Sequence, residues 1–223
     1  MMMLLALDTS TRTLGLALFD GRQVLAECTW QGKGHHTQEL APEIALLLRR
    51  ASVSLDKVQA VGVATGPGSF TGLRIGMALA KGLCLSGGRA LVGIPTLDIL
   101  ARAQPRQDGR LFVAIQAGRG RIVGMWYKWG RKGWRPEADL QVLTWEMLAA
   151  SVKPGSLICG EIDGEARRLL ESAGNIRVAP PVECVRRPGW LASMAWELWR
   201  AGKTANPAKL APIYIHTEGG RDT

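Results

Sequence analysis

Two short segments hold residue types that could handle phosphate. Asp8-Thr9-Ser10-Thr11 closes the first apolar run of the chain. A carboxylate there, followed by hydroxyls and free backbone amides, can hold a metal–phosphate group. The same residues also suit a polar hairpin turn, so Asp8, Thr9 and Ser10 read as a degenerate phosphate-type loop. Further on, Gly66-Pro67-Gly68-Ser69-Phe70-Thr71-Gly72-Leu73-Arg74-Ile75-Gly76 lies between an apolar run and a helical pattern. Amides at a helix start attract anions, but no Gly-Lys-Ser/Thr closes the run, which excludes a Walker A loop. The histidines are His35, His36 and His216, and the cysteines Cys28, Cys84, Cys159 and Cys184 show no Cys-x-x-Cys spacing. Free thiols are expected, and neither a metal nor a cofactor. The adjacency of His35 and His36 cannot give the helical pair spacing of a metallopeptidase.

The glycine run also has a packing reading. Gly72, Gly76 and Ala80 recur every four residues and would leave a smooth groove, with Leu73, Ile75, Met77, Leu79 and Leu83 on the other sides. A helix apolar nearly all round must be covered on both faces. The preceding helical pattern offers the stripe Leu40, Ile44 and Leu47. A partner interface is therefore expected at Leu40, Ile44, Leu47, Leu73, Gly76, Met77 and Ala80, the alternative being cover by the chain's own second half.

The elements that position these segments alternate in period. Leu4 to Leu7, Leu14 to Phe19 and Val24 to Trp30 read as strands, with Asp20-Gly21 as a hairpin turn. A helix around Leu40 to Ala51, a strand Val58 to Ala64, a helix Leu73 to Leu85 ended by Gly87-Gly88, a strand Ala90 to Ile94 and a helix Thr96 to Ala103 follow. Beyond the polar linker Gln104 to Gly109 the order roughly repeats. Leu111 to Ile115 and Ile122 to Trp129 join through Gly118-Arg119-Gly120. Leu140 to Leu143, helix Thr144 to Ala150, Leu157 to Cys159, helix Glu165 to Ala173, Ile176 to Val178 and helix Trp190 to Ala201 complete the chain. Hairpins combined with crossover helices indicate an α/β fold of two lobes, residues 1–103 and 104–223.

Net charge is +9 over 223 residues, and its distribution is uneven. Residues 102–135 hold nine basic side chains against Asp108 alone. Trp126, Tyr127, Trp129 and Trp134 are interleaved with Arg119, Arg121, Lys128, Arg131, Lys132 and Arg135, a pattern that suits RNA by phosphate neutralisation and base stacking. The plainer reading is a solvated edge hairpin whose charge blocks strand-to-strand aggregation. The apolar start, Met1 to Leu7, has no basic flank, and Ile75 to Leu85 is too short to span a bilayer, so a cytoplasmic protein is expected.

Asp8-Thr9-Ser10, His36-Thr37-Gln38 and the whole Gly66–Gly76 run resemble the TsaB family of bacterial tRNA threonylcarbamoyladenosine synthesis. Pro212-Ile213-Tyr214-Ile215 is similar to that family's Pro-x-Tyr signature. The resemblance implies the acetate kinase–Hsp70–actin (ASKHA) fold of two RNase H-like lobes with mixed sheets. It also implies a subunit without catalysis of its own, paired with the catalytic paralogue TsaD through the first two helices of each partner and bound by the ATPase TsaE. A homodimer through the exposed helix pair is expected when that partner is missing, since an apolar patch seldom stays bare, and tRNA is met through the complex or the basic segment. Where the paralogue holds its metal with a His-Met-Glu-Gly-His-like stretch, this chain has Thr96-Leu97-Asp98-Ile99-Leu100. Gln116 stands where the family commonly has Asp, and His216 where it often has Arg. A small ASKHA-fold ATPase or kinase built on Asp8 and the Gly66 loop remains the alternative.

Overall fold

The computed structural model describes residues 2–32, 36–174 and 176–214, with only the backbone of 36–38. The elements in chain order are β1 (Met3–Asp8), β2 (Thr13–Phe19), β3 (Val24–Gln31), α1 (His36–Arg50), β4 (Val58–Ala64), α2 (Phe70–Gly87), β5 (Ala90–Ile94) and α3 (Thr96–Ala103). There follow β6 (Leu111–Gly118), β7 (Arg121–Gly130), β8 (Gly133–Pro136), β9 (Gln141–Leu143), α4 (Trp145–Ser151), β10 (Leu157–Gly160), α5 (Gly164–Ser172), β11 (Arg177–Val178) and α6 (Pro188–Arg200). The helix and strand series matches the sequence reading except for β8. Its four residues carry a glycine and a proline, which hide a strand from any propensity argument.

The chain does not divide at residue 103. One compact unit is Met1–Ile99 together with Arg186–Pro212, and the other is Leu100–Val185 with Ile213 onward. The expected lobes 1–103 and 104–223 are thus corrected at the carboxyl side, because α6 returns to the first unit.

That return follows from β1, whose six residues are all buried. Successive strand side chains point to opposite faces, so β1 supplies two cores. Met3, Leu5 and Leu7 pack with Leu40, Ile44 and Leu47 of α1 and Met77 and Ala80 of α2. Leu4 and Ala6 pack with Leu191, Ala192 and Ala195 of α6. Gly15 and Gly62 let α6 lie close: a methyl group added at Gly62 would come 2.7 Å from Ala195 Cβ. The sheet order is β3-β2-β1-β4-β5, with β1 antiparallel to β2 and parallel to β4.

In the second unit β6 is antiparallel to β7 and parallel to β10, in the order β11-β10-β6-β7-β8, while β9 also pairs with β7. Phe112, Ala114, Ile122 and Ile158 meet Trp145 and Leu148 of α4 and Ala166 and Leu170 of α5. Thr144 and Asp163 cap those helices through side-chain oxygens that accept backbone N–H bonds. Among the described residues no helix is long and apolar enough to cross a membrane. Ile215 and His216 lie outside the described residues, as do His35 and the side chains of His36, Thr37 and Gln38.

Candidate functional site

The turn after β1 is fully engaged by its own chain. Asp8 Oδ1 accepts from the Ser10 backbone N–H at 2.9 Å and from the Ser10 hydroxyl at 2.5 Å. Asp8 Oδ2 accepts from Arg186 Nε at 2.9 Å, in an ion pair whose side chains are each 2 % exposed. The same guanidinium donates to the Thr11 hydroxyl and, at 3.2 Å, to the Thr13 carbonyl. A fixed cation therefore stands beside the one carboxylate that a metal–phosphate group would use. Arg186 lies two residues before α6, Pro188–Arg200, so the packing of that helix on the sheet delivers it.

The Gly66–Gly76 run closes onto the same turn. The Ser69 backbone N–H donates to the Ser10 carbonyl at 2.6 Å, and the Thr9 hydroxyl donates to the Gly72 carbonyl at 2.7 Å. Ser69 caps α2 by accepting from the Gly72 N–H. A methyl group at Gly68 would sit 2.1 Å from the Ser10 carbonyl oxygen, at Gly72 2.2 Å from the Thr9 carbonyl oxygen, and at Gly76 2.1 Å from the Thr9 hydroxyl. The glycines admit the Asp8–Thr11 turn. They do not form an open phosphate cradle.

This corrects the expected docking surface. Leu40, Ile44, Leu47, Leu73, Gly76, Met77 and Ala80 are all buried in the first unit's core. The inward series of α2 is Gly72–Gly76–Ala80–Cys84, each one turn from the last. The outward series consists of half-buried Ile75, Leu79 and Leu83 with exposed Ala78 and Gly82, and Leu85 is 74 % exposed. Phe70 is also exposed, with the Arg74 guanidinium 3.6 Å above its ring. Leu40, Ala41, Arg74, Ile75, Ala78 and Leu79 line a groove of about 400 Å³ between α1 and α2. The helix is apolar all round, as its sequence indicated, but the smooth side faces inward and the leucine side faces out.

Thr96 also has a structural task. Its hydroxyl accepts from the Gly66 N–H at 3.1 Å and its own N–H donates to the Gly66 carbonyl at 2.8 Å. Both Thr96 and Leu100 are buried. Gln116 binds Glu161 by its own backbone N–H and by its side-chain amide, each at 3.0 Å, so a carboxylate absent from residue 116 reaches the strand end from another loop.

The basic residues separate into two groups. Arg119, in a left-handed conformation at φ 55°, and Arg121 lie at the β6–β7 turn. Arg131 and Lys132 lie at the β7–β8 turn, roughly 30 Å away along β7 at about 3.3 Å per residue. Lys128 and Arg110 both hold Glu137, at 3.6 and 2.9 Å. All four cysteines are free. The neighbouring Cys159 thiol holds the Cys184 thiol below its ordinary value, and burial pushes Cys84 up to about 11.

Residues 23–162 match the family model described as TsaD, tRNA N6-adenosine threonylcarbamoyltransferase. The chain is 33% identical over 150 residues to the tRNA threonylcarbamoyladenosine biosynthesis protein TsaB of Escherichia coli, covering 66% of this chain and 64% of that protein. It is 32% identical over 158 residues to the protein of the same name from Bacillus subtilis, covering 69% of each. The chain belongs to the TsaB family. The match to the Escherichia coli TsaB spans slightly under two thirds of that protein's length. YeaZ from Pseudomonas aeruginosa superposes with a TM-score of 0.79 at 26% identity, over 96% of this chain and 100% of that one. The ethanolamine utilization protein EutJ from Carboxydothermus hydrogenoformans, at 13% identity and a TM-score of 0.54, shares the fold alone. The fold is therefore the ASKHA α/β fold with mixed sheets, and the TsaB homologues are proteins of tRNA threonylcarbamoyladenosine synthesis.

Proposed function

We propose that the chain is a non-catalytic companion subunit of the TsaD transferase, acting in threonylcarbamoyl transfer to the adenosine next to the anticodon of tRNA. The observation that carries this reading is the Arg186–Asp8 pair. A kinase or ATPase of this fold needs its strand-end carboxylate free for a hydrated metal bound to phosphate, whereas here a buried guanidinium is bonded to it. Docking onto TsaD uses the outward stripe of α2, Ile75, Ala78, Leu79, Gly82, Leu83 and Leu85, with Ala41 of α1. A long apolar helix face seldom stays bare in water, and Gly82 lets another helix approach closely. The TsaE ATPase binds the resulting pair, tRNA reaches the transferase in the cytoplasm, and the same stripe joins two copies of this chain when TsaD is absent.

Co-purification with the TsaD of the same organism tests this. Ala78→Glu and Leu85→Glu are expected to abolish pairing while far-UV circular dichroism and the melting temperature stay unchanged. Met77→Glu instead unfolds the chain, because Met77 is 3% exposed. Full pairing by both outward variants overturns the docking surface. Tight magnesium-ATP binding by the isolated chain, or tRNA modification without TsaD, overturns the companion role.

A further inference from the structure

The β7–β8 turn gathers charge and aromatic surface away from the docking stripe. Trp129 and Trp134 are partners in the strand register and meet edge to face, with ring centroids 5.3 Å apart. Trp134 is fixed from below: its indole N–H is within reach of the Gln104 and Pro105 carbonyls, at 3.2 and 3.3 Å. That contact draws the 104–106 linker, with exposed Arg106, against the turn. Arg102 donates to the Lys132 carbonyl at 3.3 Å. Arg135 pairs in register with Lys128 and lies over Gly130, on the sheet face opposite Trp129. Arg131 and Lys132 extend from the turn and are exposed. Arg102, Arg106, Arg131 and Lys132 thus lie at the same end of β7 as Trp129, which is 38% exposed. Of the carboxylates between residues 102 and 137, Glu137 is already held by Arg110 and Lys128.

We infer that this turn is a contact site for unpaired RNA, with Trp129 as the stacking surface and Arg131, Lys132, Arg102 and Arg106 as phosphate contacts. An acidic protein would be drawn by the same charge. It would bury the indole as well, but RNA meets both features at every nucleotide, with a phosphate for the cations and a base face for the indole. Duplex RNA offers no free base faces, so it would be held by charge alone. Arg119 and Arg121, at the far end of β7, are not part of the site. The inference goes beyond the companion role and does not depend on it.

Binding to the isolated full-length chain is measured by fluorescence anisotropy with an unmodified tRNA transcript, oligouridylate, an RNA duplex, heparin and polyglutamate. The tRNA and oligouridylate are expected to bind with an affinity that falls linearly in log salt. Arg131→Ala with Lys132→Ala lowers that slope by about two. Trp129→Ala weakens oligouridylate about tenfold and leaves duplex and heparin unchanged, and Trp129→Phe restores most of the loss. Unchanged oligouridylate binding by Trp129→Ala overturns the inference. So does absence of RNA binding at low salt, or retention of polyglutamate as tight as that of RNA. TsaD is absent from the assay, so failure here leaves the docking proposal standing, and failed docking leaves this result intact.

Discussion

Asp8 and Arg186 are 178 residues apart in sequence and 2.9 Å apart in space. Asp8 could be singled out from its position at a strand end with hydroxyls behind it. Arg186 could not, since Arg186-Arg187 looks like ordinary surface charge, and only the return of α6 makes one of the two buried. The structure even separates the neighbours: Arg187 is exposed and pairs with Glu27 at 2.8 Å. Removing one partner of a buried pair leaves the other charged and unsolvated, so Arg186→Ala is expected to cost about 3–5 kcal/mol in urea unfolding. Replacing both, as Asp8→Leu with Arg186→Met, should cost much less. Equal losses in the single and double variants would show that the pair stabilises the fold by itself and is not merely neutralised.

At the level of elements, α2 shows what periodicity can and cannot decide. Its length, cap and all-round apolar character were readable, because Ser69, the leucines and the closing glycines each carry a local signal. Which side faces inward was not. A four-residue repeat of small side chains marks a close approach, but it does not say whether the approaching backbone is foreign or native. Here it is the turn after β1, less than one helix diameter away. Three glycines on one helix therefore respond oppositely to the same substitution. Gly72→Ala and Gly76→Ala place a methyl group against Thr9, and each should destabilise by about 1–3 kcal/mol. Gly82→Ala meets nothing within 4 Å and should stabilise by about 0.5–1 kcal/mol through helix propensity. Chemical denaturation of the three variants checks the order. β8 was missed for a related reason: its pairing with β7 is made by register, not by residue type.

For the whole molecule, the sequence indicated an α/β chain with a repeated order of elements and a break near residue 104. The assignment of α6 was beyond it. An amphipathic helix at the end of a chain is naturally placed with its sequence neighbours, and no local feature says otherwise. Only the doubly buried β1 demands a second cover, and Leu191, Ala192 and Ala195 supply it, each at 0% exposure. Full burial of a leucine-sized side chain contributes about 1.5–3 kcal/mol, which is large against a typical total stability of about 5–15 kcal/mol. A chain ended after Val185 is accordingly expected to lose its cooperative thermal transition and to bind a hydrophobic dye, even though all five strands of the first sheet remain. A sharp transition near that of the full chain would show that α6 is dispensable.

The late arrival of α6 has a bearing on biosynthesis. A ribosome makes β1 long before α6, so one side of that strand stays without its native cover until residue 200 has cleared the exit tunnel. The second unit has its main segment, Leu100–Val185, ahead of α6 in the chain. The nascent amino-terminal half therefore waits with Leu4 and Ala6 without their native cover, a window in which a chaperone can shield them.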